Sequence, residues 1–261
     1  MIFTDSTYND KEIKYWSVDV LDKTGLVKTV YTENSETAWK YGNEPWKENY
    51  EKLSSLLGIK INDICTTDQT HTNNVRVMSK ENSGEGILES TREKNYDGII
   101  TDRKELLLCS FEADCVPVYF LDPVKKAIAM VHSGWRGTAL AICKKTVGKF
   151  SAQFNSKPED LIAVIGPCAC KNCYEVGSEL IEEFKAEFEN EISKIFLPKP
   201  LDDKKYLLDL NKAIEITLLK AGVKEENIYT VNRCTIEDEK LCSYRRTGLK
   251  KTHMLTAIML K

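Results

Sequence analysis

Ala113-Asp-Cys-Val-Pro-Val-Tyr-Phe-Leu-Asp-Pro-Val-Lys-Lys-Ala-Ile-Ala-Met-Val-His132-Ser-Gly-Trp-Arg-Gly-Thr138 is the stretch from which the architecture of this chain is read. Val116 to Leu121 is a run of β-branched and aromatic residues, Asp122-Pro123 starts a turn, and Ala127 to Val131 is a second apolar run. That is the pattern of a hairpin. Centring the turn near Val124 sets Cys115 opposite His132 at the open end. Facing residues of an antiparallel pair have Cβ atoms ~4.5–5.5 Å apart. At that separation a thiol and an imidazole can share one metal ion, with bonds of ~2.3 Å to sulfur and ~2.0–2.1 Å to nitrogen. They can equally form a nucleophile and its base.

Outward from the hairpin, strand and helix signals alternate. Residues 1–31 predict a hairpin (Ile13–Val20 and Leu26–Tyr31) turning at Lys23-Thr-Gly25, and Glu36 to Leu57 has a helical pattern ending at Gly58. Asp63 to Met78 reads as a strand and a loop carrying His71, Asn82 to Asn95 as a polar loop, and Tyr96–Thr101 and Leu106–Phe111 as strands. After the hairpin, Gly134-Trp-Arg-Gly137 opens a helix whose Leu140, Cys143, Val147 and Phe150 recur at spacings of three and four, one buried face. A strand at Leu161–Gly166, helices at Val176–Glu189 and Leu207–Ala221, and strands at Ile228–Val231 and Met254–Leu260 complete the chain. Pro158 to Cys168 and Lys224 to Cys234 echo one another: each is an acidic turn, a strand and a cysteine. This intermixture predicts an α+β (mixed α/β) fold of layered sheets and helices rather than a doubly wound parallel sheet. No glycine-rich phosphate loop is present.

The 261 residues read as one catalytic domain, 1–261, and 42% hydrophobic with 30% charged residues is ordinary for a globular protein. A net charge of −3 gives no pull toward nucleic acid or anionic membranes. Met1 to Asp19 lacks the pattern of a signal peptide, and no apolar run approaches the ~20 residues of a membrane span. A cytoplasmic, monomeric protein is expected. Nine cysteines, an odd count, predict reduced thiols rather than a disulfide framework.

Six motifs stand in the order found in one family: Gln69-x-His71, Asp97-Gly98, Ala113-Asp-Cys-Val-Pro117, His132-x-Gly-Trp-Arg-Gly137, Ile165-Gly-Pro167 with Tyr174-Glu-Val-Gly177, and Cys234-Thr235 with Ser243-Tyr-Arg-Arg246. Over residues 15–260 the chain resembles the laccase-domain (YfiH-like) family, whose members are described both as polyphenol oxidases and as purine nucleoside phosphorylases. Thr72 stands where that family usually has glycine, and Leu241-Cys242 where it has two phenylalanines, which bears on substrate preference more than on chemistry. The resemblance implies an α/β/β/α layering and a zinc ion held by His71, Cys115 and His132. It implies phosphorolysis of adenosine, inosine, guanosine and methylthioadenosine, with adenosine deamination beside it.

Two imidazoles and one thiolate leave a fourth tetrahedral position open, the arrangement of catalytic rather than structural zinc; so soft a set also takes copper in vitro. His253 reads as a plain surface or strand-end residue. Arg136, at a glycine-bounded turn opening a helix, is expected to bind phosphate or ribose. Ser133, Tyr174, Arg245 and Arg246 complete the expected substrate residues, with one of the adjacent arginines facing the site; Trp135 and Tyr174 either stack on a base or pack. Asp114 is expected to point away from the site. Cys170-x-x-Cys173 has knuckle spacing, but no second pair follows it, so these thiols and Cys168 read as incidental. The expected function is a zinc-dependent purine nucleoside phosphorylase acting on small-molecule nucleosides and phosphate. The alternatives are a Cys–His amide hydrolase that edits peptidoglycan precursors, with Cys115 as nucleophile and His132 as base, a non-enzymatic zinc scaffold, and a copper polyphenol oxidase.

Overall fold

Asp122 closes the central hairpin by accepting the backbone N–H groups of Val124 and Lys125, both at 2.8 Å, while Lys126 takes the left-handed conformation (φ 53°). Every residue of its strands, Val116–Asp122 and Ala127–Ser133, is buried. A run without polar alternation is what a strand covered on both faces requires.

A computed structural model describes residues 3–4, 13–33, 38–199, 202–248 and 253–261. The first part of the predicted N-terminal hairpin (1–2, 5–12) and the head of the predicted helix (36–37) lie outside the described residues. In chain order the strands are β1 (Phe3–Thr4), β2 (Tyr15–Val18), β3 (Val27–Thr32), β4 (Ile64–Thr66) and β5 (Val75–Val77). Next come β6 (Gly98–Thr101), β7 (Leu107–Glu112), the hairpin pair β8 (Val116–Asp122) and β9 (Ala127–Ser133), and β10 (Ile162–Ile165). The last five are β11 (Glu175–Gly177), β12 (Phe196–Lys199), β13 (Asp202–Leu208), β14 (Ile228–Thr230) and β15 (Met254–Leu260). Two six-stranded mixed sheets, ordered β1-β2-β3-β15-β7-β4 and β14-β10-β8-β9-β6-β5, are accompanied by a small sheet β11-β13-β12.

The period of two along each strand assigns the layers. Leu106 and Leu108 meet Tyr119, Leu121, Ile128 and Met130 between the two large sheets. Leu107, Cys109 and Phe111 face the other way, onto Tyr50, Leu53 and Leu57 of the helix Trp46–Leu57. Val118, Phe120 and Ala129 pack against Val147 and Phe150 of the helix Ile142–Phe154 and Ala213 and Ile214 of the helix Leu210–Lys220. The order helix, sheet, sheet, helix is thus an α/β/β/α sandwich of mixed α/β class.

Several boundaries differ from expectation. The residues from Val176 open in β11, and the helix runs only Glu179–Phe188. Leu207 and Leu208 end β13, after which Asp209 caps the next helix by accepting Lys212 N–H at 3.0 Å. Leu140 is 53% exposed: Ala141, at φ 54°, breaks the expected helix into Trp135–Ala139 and Ile142–Phe154, rotating Leu140 off the face of Cys143, Val147 and Phe150. The two echoing segments lie side by side. Each has a 3-10 turn before its strand, β10 and β14 pair in parallel with Val164 beside Tyr229, and the backbones of Cys168 and Cys234 pair in parallel just beyond.

Candidate metal centre and cavity

The hairpin ladder pairs His132 with Pro117 and ends at Val116–Ser133, so Cys115 lies beyond it and not opposite His132. The turn spans residues 123–126 between the paired Asp122 and Ala127, one residue further along than the sequence suggested. The two side chains nevertheless converge. Asp114 adopts φ 85° and re-aims Cys115. Its carboxylate accepts the Thr235 hydroxyl at 2.6 Å and Arg245 N–H at 2.7 Å. His71 is also left-handed (φ 64°), pinned through its own N–H to Asp97 at 3.0 Å. A non-glycine residue in that region costs of order 1–3 kcal/mol, and at both positions a carboxylate supplies the restraint.

The ligand atoms of His71, Cys115 and His132 all lie within 4.8 Å of one another; Cys115 Sγ is 3.8 Å from His71 Nε2. Gly134 makes this approach possible, since a Cβ there would sit 2.9 Å from both Cys115 Sγ and His71 Cδ2. Asp97, fully buried, organises both histidines. One oxygen lies 2.8 Å from His132 Nδ1, and the carboxylate also takes Thr72 N–H at 2.7 Å and the Thr72 hydroxyl at 2.9 Å. An ionised Asp97 places a proton on Nδ1, leaving the Nε2 lone pair to face Cys115 and His71. Burial pushes the Asp97 carboxyl up, but the His132 and Thr72 hydrogen bonds override it and hold it below the usual range.

These residues fit a metal ion. Burial, and then the adjacent His132, hold His71 below the usual imidazole range, so its nitrogen is a free donor. Burial pushes the Cys115 thiol well up, so a cation is needed to make it a thiolate. Glu112 is fully buried 3.9 Å from His132 Nε2, its Oε2 has no hydrogen-bond partner among the described residues, and burial keeps its carboxyl well above the usual range. A buried carboxyl oxygen without a donor beside three convergent ligands is the setting a cation relieves.

The three donors open into a cavity of about 420 Å³. Trp135, Tyr174 and Tyr244 form aromatic wall, and Arg245 lies over Tyr174 (4.9 Å to the ring centre) with its Nη1 donating to the Glu175 carbonyl at 3.0 Å. Of the two adjacent arginines, Arg245 therefore faces the cavity. Arg246 does not: its guanidinium donates to the carbonyls of Thr235, Ile236, Asp238 and Leu241 and ties that loop together. The pair sits in a helical turn, Tyr244–Thr247, where neighbours diverge by about 100°. Ser133 is fully buried, its hydroxyl 2.9 Å from that of Thr138, and does not line the cavity. Arg136 is exposed over the Trp135 ring (4.2 Å to its centre) and is not a wall residue either. The helix it was expected to head is a single turn, Trp135–Ala139.

Lys40, Gln69, Glu112 and Tyr244 receive no role from the sequence alone. Lys40 lines the cavity beside Phe111, and burial holds its amine below the usual range. Gln69 clamps Phe111, accepting its N–H at 3.0 Å and donating to its carbonyl at 2.7 Å. His253, immediately before β15 and so at a strand end as the sequence suggested, also lines the cavity. Gln69 and Tyr244 sit inside motifs quoted above; Lys40 and Glu112 carry no local signal.

Residues 23–261 match the profile of the family described as multi-copper polyphenol oxidoreductase laccase, and the chain belongs to that family. It is 31% identical over 216 residues to a protein of Bacillus subtilis (strain 168) named purine nucleoside phosphorylase YlmD, covering 82% of this chain and 77% of that one. It is 30% identical over 211 residues to an adenosine deaminase RL5 from an unknown prokaryotic organism, covering 80% and 79%. The crystal structure of the Bacillus licheniformis hypothetical protein YfiH superposes with a TM-score of 0.83 at 27% identity, over 95% of this chain and 96% of that one.

Proposed function

We propose that this protein is a zinc-dependent purine nucleoside phosphorylase with adenosine deaminase activity, taking adenosine, inosine, guanosine and methylthioadenosine. The observation that carries the reading is the opening of the His71–Cys115–His132 set into a cavity with aromatic and cationic walls. Its volume, about 420 Å³, is within the range of small-molecule sites. The relatives named purine nucleoside phosphorylase and adenosine deaminase support the same reading. Bound zinc would supply a Lewis acid and an activated water at neutral pH. The remaining work falls to the chain. Tyr174, Trp135 and Tyr244 offer faces for a purine. Arg245 and Lys40 offer charge to phosphate, a role the sequence had given to Arg136. Asp97 fixes the proton on His132 Nδ1 and the loop that carries His71.

The amide-hydrolase alternative draws less support. A metal-free Cys115 nucleophile needs a thiolate, and burial pushes the Cys115 thiol well above its ordinary value. A purine nucleoside panel followed by chromatography, with and without phosphate, tests the proposal. Free base appearing only with phosphate is the expected result. Inosine from adenosine without phosphate would leave deamination alone, and no turnover of any nucleoside would refute the reading.

A further inference from the structure

The Cys170-x-x-Cys173 pair lacked a partner motif in the sequence, and the fold provides one. Cys234-Thr-Ile-Glu237 stands directly across from it, so that the three Sγ atoms and a Glu237 carboxylate oxygen all lie within 4.8 Å of one another. We propose that Cys170, Cys173, Cys234 and Glu237 form a second metal site, a structural zinc site distinct from the His71–Cys115–His132 centre. It stands independently of the nucleoside reading.

Three observations carry it. The first is the number and softness of the donors. Three thiols and a carboxylate make a complete tetrahedral set with no position left for substrate, the closed pattern of structural zinc. With bonds of ~2.3 Å to sulfur and ~2.0–2.2 Å to oxygen, tetrahedral ligand atoms stand roughly 3.5–3.8 Å apart. Cys173 Sγ and Glu237 Oε1 are already 3.3 Å apart. The second is backbone organisation around sulfur. Cys170 N–H donates to Cys234 Sγ at 3.4 Å, and the Ile236 and Glu237 amides also point at that sulfur. The turn Cys170–Cys173 is folded back on itself, Cys173 N–H and Tyr174 N–H both reaching the Cys170 carbonyl at 3.0 and 2.9 Å. Such preorganisation is not needed by incidental thiols.

The third is position. The two ligand pairs stand at or just beyond the ends of the two echoing segments, which are locked in register where Thr235 N–H donates to the Cys168 carbonyl at 3.0 Å. The same loops hold the walls of the cavity: Tyr174 follows Cys173, and Thr235, next to Cys234, donates to the Asp114 carboxylate that also anchors Arg245. A cation here would staple the Tyr174 loop to the Arg245 loop. Zinc would displace the thiol protons to solvent and leave the sulfurs as thiolates.

Cobalt and zinc binding to the full chain under reducing conditions tests this. The His71→Ala/Cys115→Ala protein, stripped of the first centre, should still bind about one Co²⁺ and show a strong thiolate-to-cobalt charge-transfer band. Adding Cys170→Ser and Cys173→Ser should abolish both. Because that combination can compromise folding, Glu237→Gln at an exposed position provides a second arm: the sulfur band should persist while zinc affinity falls about tenfold or more. Absence of the band in the His71→Ala/Cys115→Ala protein, with thermal unfolding still cooperative, overturns the proposal. So does zinc affinity unchanged by Glu237→Gln, or a native disulfide among Cys170, Cys173 and Cys234 in intact-mass measurement. Absence of nucleoside turnover in the unsubstituted protein, with the band present in the His71→Ala/Cys115→Ala protein, would count against the function proposed above and leave this site standing.

Discussion

Replacing Gly134 by alanine should destroy metal binding at the His71–Cys115–His132 centre without unfolding the protein. Gly134 has φ −70° and ψ 173°, a conformation open to alanine, so the backbone gives no reason for glycine. The added Cβ is the problem. It would lie 2.9 Å from Cys115 Sγ and 2.9 Å from His71 Cδ2, whereas ordinary contact begins near 3.4 Å. Each ligand must retreat by about 0.5 Å, and metal sites tolerate only about ±0.2 Å in ligand distance. Two of three ligands leave tolerance together, so affinity should fall by about a hundredfold or more, beyond the 10–100-fold typical of losing an outer-shell partner. Zinc affinity by competition with a chromophoric chelator is the assay, alongside thermal unfolding in excess chelator. Gly148→Ala is the matched control. Gly148 is inside the helix Ile142–Phe154, with nothing within 4 Å of its added Cβ, so it should gain about 1 kcal/mol of helix stability and leave the metal untouched. A Gly134→Ala protein with wild-type zinc affinity would refute the assignment of the ligands.

Asp97→Asn keeps the shape but turns an amide N–H₂ toward either His132 Nδ1–H or the Thr72 N–H, both now accepted by the carboxylate. With hydrogen bonds to charged groups worth about 1.5–3 kcal/mol, urea denaturation should show a loss of that order, and zinc should bind roughly 10–100-fold more weakly; unaltered zinc affinity would remove Asp97 from the argument. Arg245→Ala should raise the phosphate KM by about tenfold to a hundredfold, as loss of a charge-assisted bond of about 1.5–3 kcal/mol predicts, while Arg136→Ala should change it less than threefold; the reverse ranking would place phosphate outside the cavity. Burial pushes Asp22 up to about 6, against the Thr29 hydrogen bond that lowers it. Because its folded pKa lies above the unfolded value of about 3.9, the group favours the fold at low pH, and that contribution is lost as pH rises through about 6. Asp22→Asn should therefore raise the melting temperature at pH 8 by several degrees, for up to about 2–3 kcal/mol, and little at pH 4; an equal effect at both would show that burial of the charge is not what strains the site.

What the chain settles locally is legible in its residues. The uninterrupted apolar runs of β8 and β9 predict a strand pair covered on both faces, because only a strand with no solvent side can dispense with polar alternation. The ordered motifs name His71, Cys115 and His132 together, and the echo of Pro158–Cys168 in Lys224–Cys234 marks two strands that do become neighbours. Tertiary structure decided the rest, since contacts between distant segments depend on register and packing that no local period encodes. A one-residue displacement of the hairpin turn moved Cys115 off His132, and the left-handed twist at Asp114, held by Thr235 from 121 residues away, brought it back. A helical turn at Tyr244 turned Arg245 toward the cavity and Arg246 onto carbonyl groups. Glu112 and Lys40, with no motif to mark them, have their ionisation shifted chiefly by burial, up for the carboxyl and down for the amine. Cys234 and Glu237 become partners for Cys170 and Cys173 because β10 and β14 lie in parallel, a pairing of strands that 62 residues of intervening chain separate and the folded core enforces.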